Sequence, residues 1–148
     1  MAPARTERAP WWAWLARWLL AAIFLATGLG KLLDVPGFAA VLRPYRLLPD
    51  ALLLHAAWTL TLAELAIAAG LAWRPALRPA AWVALALALL NAATLTLTLA
   101  RGIALENCGC FGVFLARPLR PWTPLEDLVL AAFALAVLAR YRRPERRA

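Results

Sequence analysis

The chain has two cysteines, Cys108 and Cys110, separated by one glycine in the segment Glu106-Asn107-Cys108-Gly109-Cys110-Phe111-Gly112. A single pair excludes a disulfide framework, so any thiol chemistry of the chain lies here. Residues two apart reach disulfide range only if the backbone between them turns sharply, and Gly109 lacks the Cβ that would resist the turn. Such a bridge closes too small a loop to stabilise a fold. Its strain raises its reduction potential, which suits a disulfide that is passed on. Outside the cytoplasm the pair stays oxidised until a reductant reaches it. Two readings compete with exchange. Cysteine packs as a small apolar residue, or the two thiolates bind a metal, for which the only histidine, His55, is a third candidate ligand on the cysteine side without a recognisable spacing.

Three further sets of polar residues interrupt apolar sequence. Glu64 lies about thirteen residues into the second apolar run, near a bilayer midplane at about 1.5 Å of rise per residue. A carboxylate there must face a protein interior, paired with a base or protonated. Lys31, at the end of the first run, is the cation expected to meet it. The pair serves either to fix helix order or to handle protons. Asn91, Thr94 and Thr98 fall at i, i+3 and i+7, one helical face rising toward the cysteine loop. They either bond between helices or line a head-group pocket.

The elements that must position these residues are apolar. Of 148 residues, 64% are hydrophobic and 16% charged, against roughly a quarter charged in soluble domains. A run of about 20 apolar residues crosses a bilayer as a helix, and the sequence offers four, at residues 11–33, 51–73, 79–100 and 124–141. The expected fold is an all-α membrane protein, a single domain built as a four-helix transmembrane bundle with short loops. Trp11, Trp12, Trp14 and Trp18 form an aromatic belt at one interface. In the first outer loop Phe38, Val41, Leu42 and Tyr45 fall at helical spacing around Arg43 and Arg46, which predicts an interfacial helix. No A-x-A site follows the first run, so it is expected to remain uncleaved.

The net charge of +8 does not mark a nucleic-acid binder, because the arginines stand at the ends of apolar runs, where they set orientation. The N-terminus, the second loop and the tail hold nine cations: Arg5, Arg8, Arg74, Arg78, Arg140, Arg142, Arg143, Arg146 and Arg147. The opposite side holds six: Lys31, Arg43, Arg46, Arg101, Arg117 and Arg120. The excess places both termini in the cytoplasm and Cys108 and Cys110 on the outer face of the inner (plasma) membrane.

Taken together, Gly28-Leu29-Gly30-Lys31-Leu32, the loop residues Phe38, Tyr45 and Leu48-Pro49, Glu64, and above all Cys108-Gly109-Cys110-Phe111-Gly112 give the chain a sequence that resembles the MauE/DoxX family of small four-helix membrane proteins, in its MauE-like branch. The resemblance covers nearly the whole length. It implies a redox role in methylamine utilisation, with disulfide formation in, and export or processing of, the small subunit of methylamine dehydrogenase beside a thioredoxin-like partner. Quinone-linked oxidoreductases in the wider group imply a membrane quinone as the non-covalent electron acceptor. Membrane disulfide-forming enzymes such as DsbB and vitamin K epoxide reductase use a second, shuttle cysteine pair, which this chain lacks.

The leading expectation is therefore a thiol-disulfide oxidoreductase. Its Cys108-Cys110 disulfide takes electrons from a thioredoxin-like protein or exported dithiol and passes them to quinone held beside Asn91, Thr94 and Thr98. Arg101, Arg117 and Arg120 favour the thiolate. Two other classes remain open: a non-enzymatic assembly factor in which CGCFG is a structural turn, and a small permease using Glu64, although no inverted repeat or broken helix of the transporter kind is present.

Overall fold

A computed structural model describes residues 11–141. Arg5, Arg8, Arg142, Arg143, Arg146 and Arg147, on which the orientation reading largely rests, lie outside the described residues. Among the described residues there is no strand. The elements are α1 (Trp11–Leu32), α2 (Val35–Leu42), a 3₁₀ turn (Arg43–Tyr45), α3 (Asp50–Ala72), a second 3₁₀ turn (Arg74–Ala76), α4 (Leu77–Ala100) and α5 (Thr123–Arg140). Helix ends follow local chemistry. Asp34 caps α2 by accepting from Gly37 N at 2.8 Å, with Pro36 in the first turn. Pro124 and Glu126 open α5, where a fixed φ and a negative charge suit a helix N-terminus.

The four long helices close a ring: α1 packs on α3 and α5, and α4 packs on α3 and α5. Their seam is made of small residues, Ala81, Ala84, Ala88 and Ala134, around Leu20, Ile67, Leu71 and Val137. Small side chains let helix backbones approach where lipid offers no hydrophobic drive to associate. The outer surface is the reverse of a soluble protein's, with Leu25, Leu62, Leu97 and Leu135 each about half exposed. Arg17 fastens one end of the ring, donating from Nε to Leu71 O at 2.6 Å and from its terminal nitrogen to Ala72 O at 2.8 Å. It thereby satisfies carbonyls left open at the end of α3.

Three helical segments are long and apolar enough to cross a membrane: Trp11–Leu32, Asp50–Ala72 and Arg74–Ala100. The chain is thus a helical membrane protein, without strands among the described residues. The fourth expected span, α5, has 18 residues and carries Glu126 and Asp127 in its first turns and Arg140 at its end, and those three charges keep it out of that set.

The helices are offset in height, and the offset builds the site. Lys31 Nζ reaches Glu64, so the end of α1 lies level with a residue fourteen positions beyond the start of α3, about 21 Å along it. The overhanging part of α3 is covered by α2, whose Val35, Phe38 and Ala39 pack on Leu53 and Ala57. The first loop does form a short helix, α2, followed by the 3₁₀ turn, but Phe38 and Tyr45 turn inward, 2% and 6% exposed. The flank left outward is Arg43 and Arg46 with Leu47 and Leu48.

The cysteine loop fills the space above α1. A Cβ on Gly30 would stand 2.6 Å from Phe111 O, and one on Gly112 would stand 2.5 Å from Gly30 O. Gly112 also adopts φ +75°, a left-handed conformation that favours glycine. Gly112→Ala is expected to destabilise the protein by on the order of 1–3 kcal/mol and to lift the loop from α1. Faster maleimide labelling of both cysteines would report this, and unchanged labelling at unchanged stability would show that the contact is not needed.

Candidate functional site

The loop is held from several sides. Cys108 N donates to Arg117 O at 2.7 Å, and Leu119 N donates to Leu105 O at 2.9 Å, tying its two limbs together. Asn107 staples the turn: its Oδ1 accepts from Gly109 N at 2.8 Å and its Nδ2 donates to Gly112 O at 3.1 Å. Tyr45 OH donates to Cys108 O at 2.7 Å. Burial pushes the Tyr45 hydroxyl well up, so it keeps its proton for this bond. Gly109 sits at φ +72°, and this turn brings both side chains to the same side.

The two thiols are free, with their sulfurs 2.8 Å apart. Cys108 is buried and Cys110 half-buried. The proximity polarises the pair. Cys108 is lowered to about 6, first because Cys110 donates a hydrogen bond to its thiolate; burial opposes this, and the charge of Arg117 assists. Cys110 is pushed far up, because its proton is committed to Cys108 and because it is buried beside negative charge from Cys108 and Asp127. The geometry thus favours the thiolate at Cys108 and the thiol at Cys110. Of the three arginines expected to support the thiolate, Arg117 acts on Cys108. Arg101 instead donates to Tyr45 O at 3.2 Å, and Arg120 stacks over Trp122 at 5.5 Å.

This assignment predicts a pH profile. In the reduced protein, alkylation of Cys108 should be nearly independent of pH above about 6 and fall about tenfold per pH unit below it, since only the thiolate reacts. In Cys110→Ala the hydrogen bond is gone, and the midpoint should rise toward that of a free thiol, about 8.5. An unchanged midpoint in that variant would remove the pairing as its cause.

Beneath the thiols lies a cavity of about 780 Å³. Cys108, Cys110 and Phe111 form its upper wall, Lys31 and Glu64 contribute buried charge, and Phe24, Leu60, Leu130 and Phe133 line it with apolar surface. Lys31 Nζ donates to Glu64 Oε1 at 2.5 Å, both side chains being about 5% exposed. Lys31 also lies 5.3 Å from the centre of the Phe38 ring. Of the face read as a head-group pocket, Asn91 and Thr94 reach the cavity, whereas Thr98 is fully buried and gives its hydroxyl to Thr94 O at 2.7 Å. That face is therefore split, and Thr98 spends its donor within its own helix.

His55 does not join the site. The buried face of α3 runs through Leu53, Ala57, Thr61 and Glu64, and position 55 falls off it, exposed. Among the described residues no three His, Cys, Asp or Glu side chains come together as metal ligands. Two residues not singled out in sequence do join it. Asp127, 9% exposed in the first turns of α5, lines the cavity beside the cysteines, and Asn107 shapes the turn. Their signals were an acidic pair opening an apolar helix and an asparagine two residues before a glycine.

A quinone suits this cavity in two respects. The walls are mainly apolar, and the orphaned carboxylate oxygen Glu64 Oε2 is buried without a hydrogen-bond partner in the described structure, able to accept from the hydroxyl of the carrier's reduced form. Such a carrier would supply a two-electron acceptor.

Fold and site together define a helical membrane protein in which a loop holds a polarised thiol pair over a charged-headed, apolar-walled cavity. The family profile "Methylamine utilisation protein MauE" matches residues 9–140. The chain belongs to the MauE family. It is 41% identical over 124 residues to "Methylamine utilization protein MauE" of Paracoccus denitrificans, covering 84% of this chain and 67% of that one. With the protein of the same name from Paracoccus versutus it shares 47% identity over 58 residues, 39% of this chain and 31% of that one. No solved structure matches the chain.

Proposed function

We propose that this protein serves methylamine utilisation as a membrane thiol-disulfide redox protein that forms disulfides in an exported partner and passes the electrons to quinone. The observation that carries the reading is the pair of sulfurs 2.8 Å apart at the wall of the cavity. The family's name supplies the setting. The partner is a thioredoxin-like protein or an exported dithiol, with the small subunit of methylamine dehydrogenase the first candidate.

The chain's residues divide the work. In the oxidised protein a partner thiolate attacks Cys108 to form a mixed disulfide, and Cys110 leaves and takes up a proton. The partner's second thiol then resolves the mixed disulfide, leaving Cys108 as thiolate and Cys110 as thiol. Tyr45 and Asn107 hold the loop so that both sulfurs keep their places, and the cavity excludes water from the sulfur that must give up electrons. A second reading, in which the loop is only a structural turn of an assembly factor, draws on the many backbone bonds that Asn107 and Tyr45 make.

In the membrane, α5 supplies the fourth span of a single four-helix domain, with Glu126 and Asp127 in the outer interface. Leu47 and Leu48, beside Arg43 and Arg46, rest on the lipid surface. Both termini are cytoplasmic and the cysteines face outward. Thiol trapping in intact cells with a membrane-impermeant maleimide tests side and state together. Labelling only after mild reduction, with reduced protein accumulating when quinone is depleted, supports the proposal. Labelling without reduction, or none until cells are opened, would refute oxidation or topology respectively.

A further inference from the structure

Glu64 carries a hydrogen-bonding capacity that the protein leaves unused. Oε1 holds Lys31, but Oε2, on a side chain 4% exposed, has no partner in the described structure. Thr27 also bears on the Glu64 carboxyl, but its hydroxyl donates to Phe24 O at 3.2 Å. A buried polar atom without a partner calls for an explanation. Here the atom belongs to a residue in the wall of the cavity. Lys31 and Glu64 thus offer a ligand one cationic donor and one anionic acceptor side by side, in surroundings where both act strongly. Cys108 shares the same cavity. The ligand that uses both is one whose oxygen accepts a hydrogen bond when oxidised and donates one when reduced, and whose remainder is apolar.

We propose that Lys31 and Glu64 form the head-group and proton-transfer site for the quinone that receives the electrons of Cys108 and Cys110, with Lys31 giving a proton to its oxygen and Glu64 Oε2 accepting from the reduced hydroxyl. This rests on the redox reading above and moves the head group from the Asn91 and Thr94 face to the ion pair. The step balances. Cys108 thiolate, Cys110 thiol, quinone and the Lys31 ammonium give the Cys108–Cys110 disulfide, hydroquinone and neutral Lys31. The sulfurs lose two electrons, one S–S bond forms, and Cys110 and Lys31 supply the two protons at unchanged net charge. A solvent proton then restores the ammonium. Lys31 is the proton donor, and Glu64 both positions it and binds the product.

The test uses the full chain in lipid nanodiscs with a short-chain ubiquinone and its reduced form. Binding is measured by calorimetry, the carboxylate band by infrared difference spectroscopy, and thiol loss by alkylation. The wild type should bind the reduced form about tenfold or more tightly than the oxidised form, as a hydrogen bond to a buried charge implies, with a shifted carboxylate band. Glu64→Gln should abolish that preference and band, and slow quinone-dependent thiol oxidation about 100-fold, while the alkylation rate of reduced Cys108 stays the same. Should that variant not fold around its unpaired lysine, Lys31→Gln/Glu64→Gln keeps the volume without charge and should behave alike. Variants that keep both the preference and the oxidation rate, in a wild type that does oxidise its thiols with quinone, would overturn this inference alone. A wild type without quinone-dependent thiol oxidation, whatever it binds, would overturn the redox reading and this site's role with it.

Discussion

Cys110→Ser is expected to turn the protein from a catalyst into a trap. Cys108 lies 2.8 Å from the replaced sulfur, and a serine hydroxyl still donates to its thiolate, so the nucleophile survives while the resolving thiol is gone. Mixed with a thioredoxin-like partner in its disulfide form, the variant should accumulate a mixed disulfide visible on non-reducing gels. Turnover should fall by about three orders of magnitude or more, the scale on which loss of an essential nucleophile registers. Cys108→Ser should lose as much activity and trap far less, because the remaining Cys110 holds its proton tightly. If neither single variant traps a partner, exchange is the wrong chemistry. If a partner still matures in cells carrying Cys108→Ser/Cys110→Ser, the bundle is an anchor and its CGCFG loop a structural turn.

The largest effect on stability is expected at Glu64→Leu. Lys31 and Glu64 side chains are about 5% exposed, and removing one partner of a buried pair leaves an uncompensated charge, which costs about 3–5 kcal/mol. Lys31→Met/Glu64→Leu removes both charges and should recover most of that loss, since an apolar pair of similar volume is often neutral or better. Unfolding in mixed detergent, followed by circular dichroism, compares the three proteins. A double variant no more stable than Glu64→Leu would mean that the pair does more than cancel its own charges, for instance by keying α1 to its height on α3.

That height is what sequence does not disclose. The four long helices stand at 11–32, 50–72, 77–100 and 123–140, within two residues of the apolar runs, because a run of about 20 apolar residues is a local signal. The meeting of Lys31 and Glu64 was legible for the same reason: each is a charge in apolar surroundings and each needs the other. The descent of the loop onto Gly30, by contrast, depends on contacts between residues some eighty positions apart, and no local pattern encodes it. Asp127 was hidden by its place at a helix start, where an acid is ordinary. The position of His55 could have been read from the spacing of Leu53, Ala57, Thr61 and Glu64, which leaves it on the other side of the helix. The three polar residues of α4 share a helical face, yet spacing alone does not reveal that Thr98 satisfies itself on Thr94 O.

The turn around Gly109, fixed by Asn107 and Tyr45, has a kinetic consequence. Since the sulfurs already touch in the dithiol form, gaining or losing the bond between them requires almost no backbone motion, and the loop contributes little to the reorganisation barrier in either direction. The slow step is then the encounter. In the proposed exchange an incoming thiol must bring its sulfur below the protein surface to reach Cys108, past Phe111 and the Arg117–Glu126 ion pair. If the pair exchanges as proposed, partner choice resides in the shape of that entrance, and the thiols of proteins too blunt to enter are excluded.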